Sequence, residues 1–385
     1  MEESKDIFKF LDEVRKTGIS DDQMYSKVSF FLEQKARDTA TPYRGYFELT
    51  PFCNLDCKMC YVHLSEEQAR GRKLLSADIW TSLMGQAIEA GMTRAILTGG
   101  ECLTYPEFDK LYLYLKEKGI MVTVKTNGIL LDAGWIDFFK NHNPRAIHIS
   151  LYGHTDEIYE NVTGYPAFSV VLENIRKAKK ANLPISIMIT PNYYMGDAIK
   201  ETIRFARNLD IPYFINSTLM SPRQDTQKKK KQYDLTTDQC IDILLYNSVL
   251  SGVIPQEREL VPEESNEENR YELSGIRCGA GKSGFSIRWD GSMCPCLSMD
   301  SVTSNPLTIG FSAAWERINN EASVFPAFVK CEKCTYSQEC TYCAAENEKL
   351  GSRFLLNNIW CQRTRKMVES GLTSSCQRCE EDSNT

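Results

Sequence analysis

At 385 residues, the chain is long enough to bury one large domain plus a smaller one. Hydrophobic residues at 42% and charged residues at 25% are the proportions of a globular protein, which excludes general disorder and a fibrous architecture. A net charge of -6 leaves no basic footprint for nucleic acid, and no apolar run approaches the roughly 18 residues of a membrane-spanning helix.

The opening Met1-Glu2-Glu3-Ser4-Lys5-Asp6 is too acidic for a signal peptide, so a cytoplasmic location without membrane association is expected. Residues 1–44 read as two short amphipathic helices, with Ile7, Phe8, Leu11 and Val14 on one face and Met24, Val28, Phe31 and Leu32 on another. A capping extension is expected there; a leader-peptide-binding module is the alternative, disfavoured by the short length and the lack of clear strands. Residues 45–220 alternate strand and helix. Expected strands are Tyr46 to Leu49, Ala95 to Thr98, Met121 to Thr126, Ala146 to Leu151, Ile185 to Thr190 and Tyr213 to Ser217. Expected helices are Ile79 to Ala90 after a Ser76 cap, Phe108 to Lys118 after Pro106, Trp135 to Lys140 after Asp132, Val170 to Ala181 and Ala198 to Leu209. Such alternation implies an α/β fold with a parallel sheet and outer helices. Six units, against the eight of a closed barrel, imply a partial (β/α)6 barrel.

Residues 221–277 break the pattern and read as a linker. The basic run Lys228 to Lys231 and the acidic run Glu257 to Glu272 suit solvated chain, while Leu235 to Leu250 is periodic enough for a helix. Residues 278–365 form a turn-rich, cysteine-rich segment, expected to be a small second domain in which metal ligation substitutes for a large core. Residues 366–385 close the chain as a polar tail.

The 15 cysteines cluster at short spacings, which favours metal over disulfides. Cys53-x3-Cys57-x2-Cys60 directly follows the first expected strand. A tetrahedral zinc site or an ordinary four-iron cluster wants four ligands, and only His63 stands nearby to complete the set. An incomplete set suits catalysis, because an iron lacking a protein thiolate can bind a cofactor or substrate. In a fold of this kind function collects at the C-terminal ends of the strands, where Gly99-Gly100-Glu101, Asn127-Gly128 and Ser150 to Gly153 also fall.

The cysteine triplet, followed on the next strand by Thr98-Gly99-Gly100-Glu101, resembles the radical S-adenosylmethionine (SAM) superfamily. The resemblance implies that Cys53, Cys57 and Cys60 hold three irons of a [4Fe-4S] cluster and that SAM chelates the fourth. Reductive cleavage of SAM would then give a 5′-deoxyadenosyl radical that abstracts a hydrogen atom. Gly99 and Gly100 would admit the methionyl group, and Glu101 would accept from its ammonium. Asn127 and Ser150 are candidate ribose or carboxylate contacts, with a strand-end cap or turn as the alternative role. Met59 stands where an aromatic residue is common and would pack on adenine beside Tyr61. Cys102 stands where proline is common; a buried structural thiol is expected, with a redox or substrate role as the alternative.

The cysteine-rich segment resembles the SPASM extension of that superfamily, which carries two auxiliary [4Fe-4S] clusters. Carried over, one would use Cys331, Cys334, Cys340 and Cys361, and the other Cys278, Cys296 and Cys343. The last short spacing, Cys340-x2-Cys343, is one residue tighter than usual in the family. Either Cys294 completes the second set or one iron stays open to substrate, and the two-residue step from Cys294 to Cys296 favours the open site. A zinc ribbon accounts for Cys331-x2-Cys334 but not for the whole set. The resemblance implies three clusters, a flavodoxin- or ferredoxin-type electron donor, and a peptide or protein substrate receiving a thioether or carbon-carbon crosslink. Alternatives are a small-molecule dehydrogenase or tetrapyrrole-modifying enzyme, a sulfatase-maturing enzyme, and a non-catalytic electron carrier or sensor. Sulfatase maturation is disfavoured because Leu297 follows Cys296 where those enzymes place a basic Asp. Tyr152, Met188, Thr190, Asn216 and Thr218 are candidates to face substrate by strand-end position alone, with core packing the expected fate of Met188.

Overall fold

The computed structural model describes residues 21–62, 64, 73–223, 234–252, 275–328, 331, 334–337, 339–351 and 353–372. The first expected helix, His63, the basic and acidic runs, Cys376 and Cys379 lie outside the described residues. Six parallel strands form the centre: β1 (Arg44–Glu48), β2 (Arg94–Thr98), β3 (Met121–Thr126), β4 (Ala146–Leu151), β5 (Ile185–Ile189) and β6 (Tyr213–Ile215). They lie in sequential order, each strand beside the next in the chain. Each falls within two residues of its expected place, and β3 and β4 match to the residue.

The sheet does not stop there. β7 (Gly284–Ile287) pairs in parallel with β1, and β8 (Met293–Cys294) pairs antiparallel with β7, giving eight strands in the order β6-β5-β4-β3-β2-β1-β7-β8. The first strand of the cysteine-rich segment is therefore part of the main sheet, which the sequence pattern did not predict.

Alternation along the strands sorts two faces. Val122 and Val124, Ile147 and Ile149, and Ile187 and Ile189 are fully buried on the outer face. There Phe47 meets Trp80 edge-on at 6.1 Å, from helix α1 (Ala77–Glu89), which Ser76 caps by accepting from the Ile79 N–H. The next outer helices are α2 (Phe108–Glu117) and α3 (Ala133–Asn141), locked by Phe108 against Trp135 at 5.2 Å. A helix absent from the sequence pattern, α4 (Asp156–Thr163), precedes α5 (Phe168–Lys180) and α6 (Ala198–Asn208). Its ends were nevertheless signalled: Thr155 accepts from the Ile158 N–H, Asp156 and Glu157 occupy its first turn, and Gly164 closes it at φ 79°.

At the opposite end from the cysteine loop, the 18-residue helix Asp21–Asp38 lies across the starts of β1 and β2. Arg94 donates to Tyr25 Oη at 2.9 Å and Ser29 Oγ at 2.7 Å, and Arg44 pairs with Glu33 at 2.8 Å. Arg94→Ala removes two charge-assisted bonds and leaves the Ser29 hydroxyl, only 2% exposed, without that donor. A loss of about 1.5–3 kcal/mol is expected in chemical denaturation, and an unchanged midpoint would contradict the docking role.

The C-terminal region grips the segment leaving β6. Glu346, fully buried, accepts from the Ser221 N–H at 2.6 Å and its hydroxyl at 2.9 Å, while Arg363 donates to Ser217 O at 2.8 Å and Oγ at 2.7 Å. These bonds satisfy groups that would otherwise be costly to bury.

Candidate functional site

From β1 the chain turns over the C-terminal ends of the strands, and its backbone presses on the segment leaving β2. Gly100 N–H donates to Thr50 O at 2.7 Å and Glu101 N–H to Phe52 O at 2.8 Å. A Cβ on Gly100 would stand 2.3 Å from Phe52 O, and one on Gly99 2.7 Å from Thr50 O. Both glycines are thus required by the protein's own backbone contact, before any methionyl group is considered. Thr98, the half-buried last residue of β2, accepts the Leu49 N–H through its carbonyl at 2.9 Å.

Glu101 is 1% exposed and acts as a strut between strand ends. Its carboxylate accepts from Leu103 N–H at 3.1 Å, Thr126 Oγ1 at 2.8 Å and Asn127 N–H at 2.7 Å. Burial raises its pKa, and these donors oppose that rise. The Asn127 amide donates to Asn54 Oδ1 at 2.6 Å and lies 3.5 Å from Cys53 Sγ, tying the first thiol to the end of β3.

The middle of the loop is stapled to α4. Asp56 N–H donates to Thr163 O at 2.9 Å, Lys58 N–H to Val162 O at 3.0 Å, and Lys58 Nζ to Asn161 Oδ1 at 2.9 Å. Cys57 is buried, Cys53 and Cys60 are half-buried, and Met59 packs into the core. Tyr152, hydrogen-bonded to Ser150, lies within electrostatic reach of all three thiols. Burial pushes the Cys53 thiol up to about 12, with the charges of Glu101 and Cys60 adding to the rise. Three thiolates held this close repel one another, so the set calls for a multivalent cation. An iron cluster fits that donor set, and the remaining open iron fits a chelating cofactor.

Cys102 is fully buried and donates to Lys125 O at 3.2 Å, the geometry of a structural thiol. Tyr61 lies between the charges of Glu48 and Arg223 and within electrostatic reach of both Cys60 and Cys296. That neighbourhood links the first loop to the C-terminal cysteines. There Cys278, Cys343 and Cys294 lie within electrostatic reach of Cys296, and Cys340, Cys361 and Cys334 within reach of Cys331. Cys294 donates to Ser286 O at 3.8 Å and also faces Arg288 and Glu48.

Two residues that sequence patterns passed over buttress the loop. Arg223, 3% exposed, makes a bidentate pair with fully buried Glu48 at 3.0–3.1 Å and donates to Val62 O at 3.3 Å. A carboxylate inside a hydrophobic strand was the available signal, since a buried charge requires a partner.

On the inner face of β4, both ring nitrogens of His148 lack a hydrogen-bond partner among the described residues. Burial, and then the nearby Lys125 charge, push its pKa down to about 3. The folded value thus lies below the unfolded value of about 6.5, so the stabilising contribution is complete above pH 6.5 and is lost as pH falls toward 3. His148→Leu is expected to flatten the fall in Tm between about pH 6.5 and 4. Parallel curves for the two proteins would contradict a buried neutral imidazole.

A mostly parallel α/β sheet with a three-thiol loop at its C-terminal mouth defines an iron-sulfur-dependent class of enzyme. Residues 47–220 match the radical SAM superfamily. The AdoMet-dependent heme synthase of Methanosarcina barkeri is 23% identical over 82% of this chain and 95% of that protein. A probable GTP 3′,8-cyclase of Sulfolobus acidocaldarius is 34% identical over 42% of this chain, which spans about half, 51%, of that relative. The sporulation killing factor maturation protein SkfB of Bacillus subtilis is 23% identical over 68% of this chain and 62% of its own length. Among solved structures, Streptococcus suis SuiB bound to S-adenosylmethionine aligns at a TM-score of 0.65 and 16% identity, covering 93% of this chain and 87% of that one. SuiB bound to its precursor peptide SuiA aligns at 0.64 and 15%, over 88% and 81%. Structural likeness at these identities shows the fold. Residues 47–220 thus carry a radical SAM domain, which supports an enzyme that uses SAM and an iron-sulfur cluster. No helix among the described residues is long and apolar enough to cross a membrane.

Proposed function

We propose that this enzyme modifies a peptide or protein, forming a thioether or carbon-carbon crosslink. Cys53, Cys57 and Cys60 would ligate the SAM-binding cluster, with Thr98, Gly99, Gly100, Glu101, Asn127, Ser150, Met59 and Tyr61 forming the cofactor's surroundings. When bound, the cluster and SAM supply a 5′-deoxyadenosyl radical able to abstract a substrate hydrogen. The chain's own contribution is rigidity: the Thr50–Phe52 backbone is fastened to Gly100 and Glu101, and Cys53 is fastened to Asn127. That fastening is the observation that carries the reading, because radical chemistry needs a fixed distance between the radical and the selected hydrogen.

Cys331, Cys334, Cys340 and Cys361 would hold one auxiliary cluster and Cys278, Cys296 and Cys343 another, with an external flavodoxin- or ferredoxin-type donor supplying electrons. The SPASM assignment rests on spacing and on the two cysteine neighbourhoods. The peptide assignment rests on the likeness to SkfB and SuiB. Reconstituted enzyme incubated with SAM, dithionite and Cys-containing candidate peptides is expected to yield a product lighter by two hydrogens. Deoxyadenosine formation with no change in any peptide would sink the crosslinking reading.

A second reading, oxidation of a tetrapyrrole or another small molecule, is favoured by the Methanosarcina relative, whose length this chain nearly spans. Turnover of a porphyrin carboxylate, with none of a peptide, would select it. Formylglycine formation on sulfatases is not favoured: Leu297 is apolar and nearly buried, so no side-chain base follows Cys296.

A further inference from the structure

The stretch 217–223, which leads away from β6, is where the cysteine-rich segment takes hold of the barrel. Helix Ala344–Leu350 starts directly after Cys343, and its Glu346 accepts from the N–H and the hydroxyl of Ser221 at 2.6 and 2.9 Å. Lys349 of the same helix donates to Ser221 O at 3.2 Å, so one helix engages the N–H, the hydroxyl and the carbonyl of this residue. Cys361 lies in the first turn of helix Asn358–Glu369, and Arg363, two residues on, holds Ser217. The turn after Cys296 reaches the same point: Arg288 donates to Leu297 O at 3.2 Å and Met299 O at 2.9 Å and pairs with Asp300, which stands 3.5 Å from Lys349. Three cysteine neighbourhoods thus converge on one short stretch of backbone.

Arg223 ends that stretch and grips the thiol loop at both of its ends. Its guanidinium pairs with Glu48, which closes β1 ahead of Cys53, and donates to Val62 O behind Cys60, while its N–H donates to Tyr61 O at 3.4 Å. Glu48, Ser221, Arg223 and Glu346 are all buried. Separating a buried charge from its partner is costly, so Ser221 stays with Glu346 and Arg223 stays with Glu48. Only Pro222 stands between the two clamps. Its ring fixes its own φ and restricts the residue before it, so the chain has little freedom to absorb a shift at Ser221, and the shift is passed to Arg223.

We propose that Ser221-Pro222-Arg223 is a rigid coupling through which the seating of the C-terminal helices sets the position of the thiol loop, so that Glu346 is a positioning residue for SAM. The further dependence on Cys343 rests on the auxiliary-cluster reading above. A thiolate held in a common centre fixes the start of helix Ala344–Leu350 and, three residues on, the carboxylate that clamps Ser221. The coupling is reciprocal: a loop filled with SAM favours the seated helix by the factor with which the seated helix favours SAM.

The test uses reconstituted holoenzyme and two readouts other than turnover: SAM affinity by equilibrium dialysis, and the change SAM causes in the electron paramagnetic resonance spectrum of the reduced enzyme. Glu346→Ala is expected to weaken SAM about tenfold, a typical coupling between sites, and to blunt that spectral change while iron per chain is retained. Glu346→Gln keeps an acceptor for the Ser221 N–H and is expected to recover most of the affinity. Ser221→Ala removes the hydroxyl half of the clamp and should weaken SAM about threefold, which keeps the test open if Glu346→Ala does not fold. Cys343→Ala should lose iron and weaken SAM by about the same factor as Glu346→Ala, and the double variant by no more than either alone, because both act through one contact. Arg94→Ala, which loosens the far end of the barrel, should leave SAM affinity unchanged. Wild-type SAM affinity in either folded clamp variant would overturn the coupling, and so would an equal loss in Arg94→Ala, which would trace the effect to stability alone. Wild-type SAM affinity in Cys343→Ala despite its iron loss, or additive losses in the double variant, would overturn the dependence on the cysteine. A wild-type iron content of about four atoms per chain instead of about twelve would refute the auxiliary clusters themselves, while the Glu346 and Ser221 variants still decide the coupling.

Discussion

Cys57→Ala is expected to abolish 5′-deoxyadenosine formation, with a loss of roughly a hundredfold or more. Removing a group that merely orients a metal ligand already costs about 10–100-fold, and Cys57 would be a ligand itself. Two independent readouts apply: deoxyadenosine after reduction with dithionite, and iron bound per chain, which should fall by about four atoms, one cluster. Cys102→Ala is the matched control. Its thiol is also buried but donates to a backbone carbonyl, so about 1 kcal/mol of stability should go while iron and SAM cleavage remain. Wild-type deoxyadenosine from Cys57→Ala, or equal iron loss in both variants, would refute the assignment of the loop.

The second large effect is expected at Gly100. Its missing side chain is where Phe52 O sits, 2.3 Å from an added Cβ, so alanine forces the cysteine loop back by about 1 Å. The bonds Gly100 N–H to Thr50 O and Glu101 N–H to Phe52 O would stretch together. A displacement of that size in a catalytic array costs about a hundredfold in rate. Gly100→Ala should therefore retain iron, because its thiols are intact, but form deoxyadenosine about a hundredfold more slowly. Retention of the wild-type rate would show that the loop yields freely and that the backbone contact does not position the cofactor.

The strands were legible because their periodicity is local. Met121 to Thr126 and Ala146 to Leu151 alternate cleanly, and both appear at their expected bounds. The crowding of Cys53, Glu101 and Asn127 at the strand ends followed from the same pattern, since a parallel sheet gathers those ends on one side. The partnerships that hold the site were not legible. Arg223 finds Glu48 across 175 positions, a distance over which hydrophobic periodicity carries no information. Helix α4 was passed over because its eight residues follow Tyr152-Gly153-His154, where a loop was already expected. β7 was hidden by its four-residue length and by the glycines of Gly279-Ala280-Gly281 just before it, which read as turn. Even the glycine pair changed meaning: room for a cofactor was the expected reason, while room for the loop is what the backbone shows.

The pairing of β7 with β1 bears on how the chain assembles. β2 and β3 complete their contacts with near neighbours, but Arg44 must wait for Gly284 before β1 is paired on its second side. Until then the strand that launches the thiol loop is an open edge, with bare N–H and C=O groups facing solvent and other chains. A chain cut before Cys278 would be left in that condition, with Ser217 and Ser221 also deprived of Arg363 and Glu346. The cysteine-rich segment is therefore no detachable appendage: it seals the barrel's flank, and the folded first half depends on the arrival of the second.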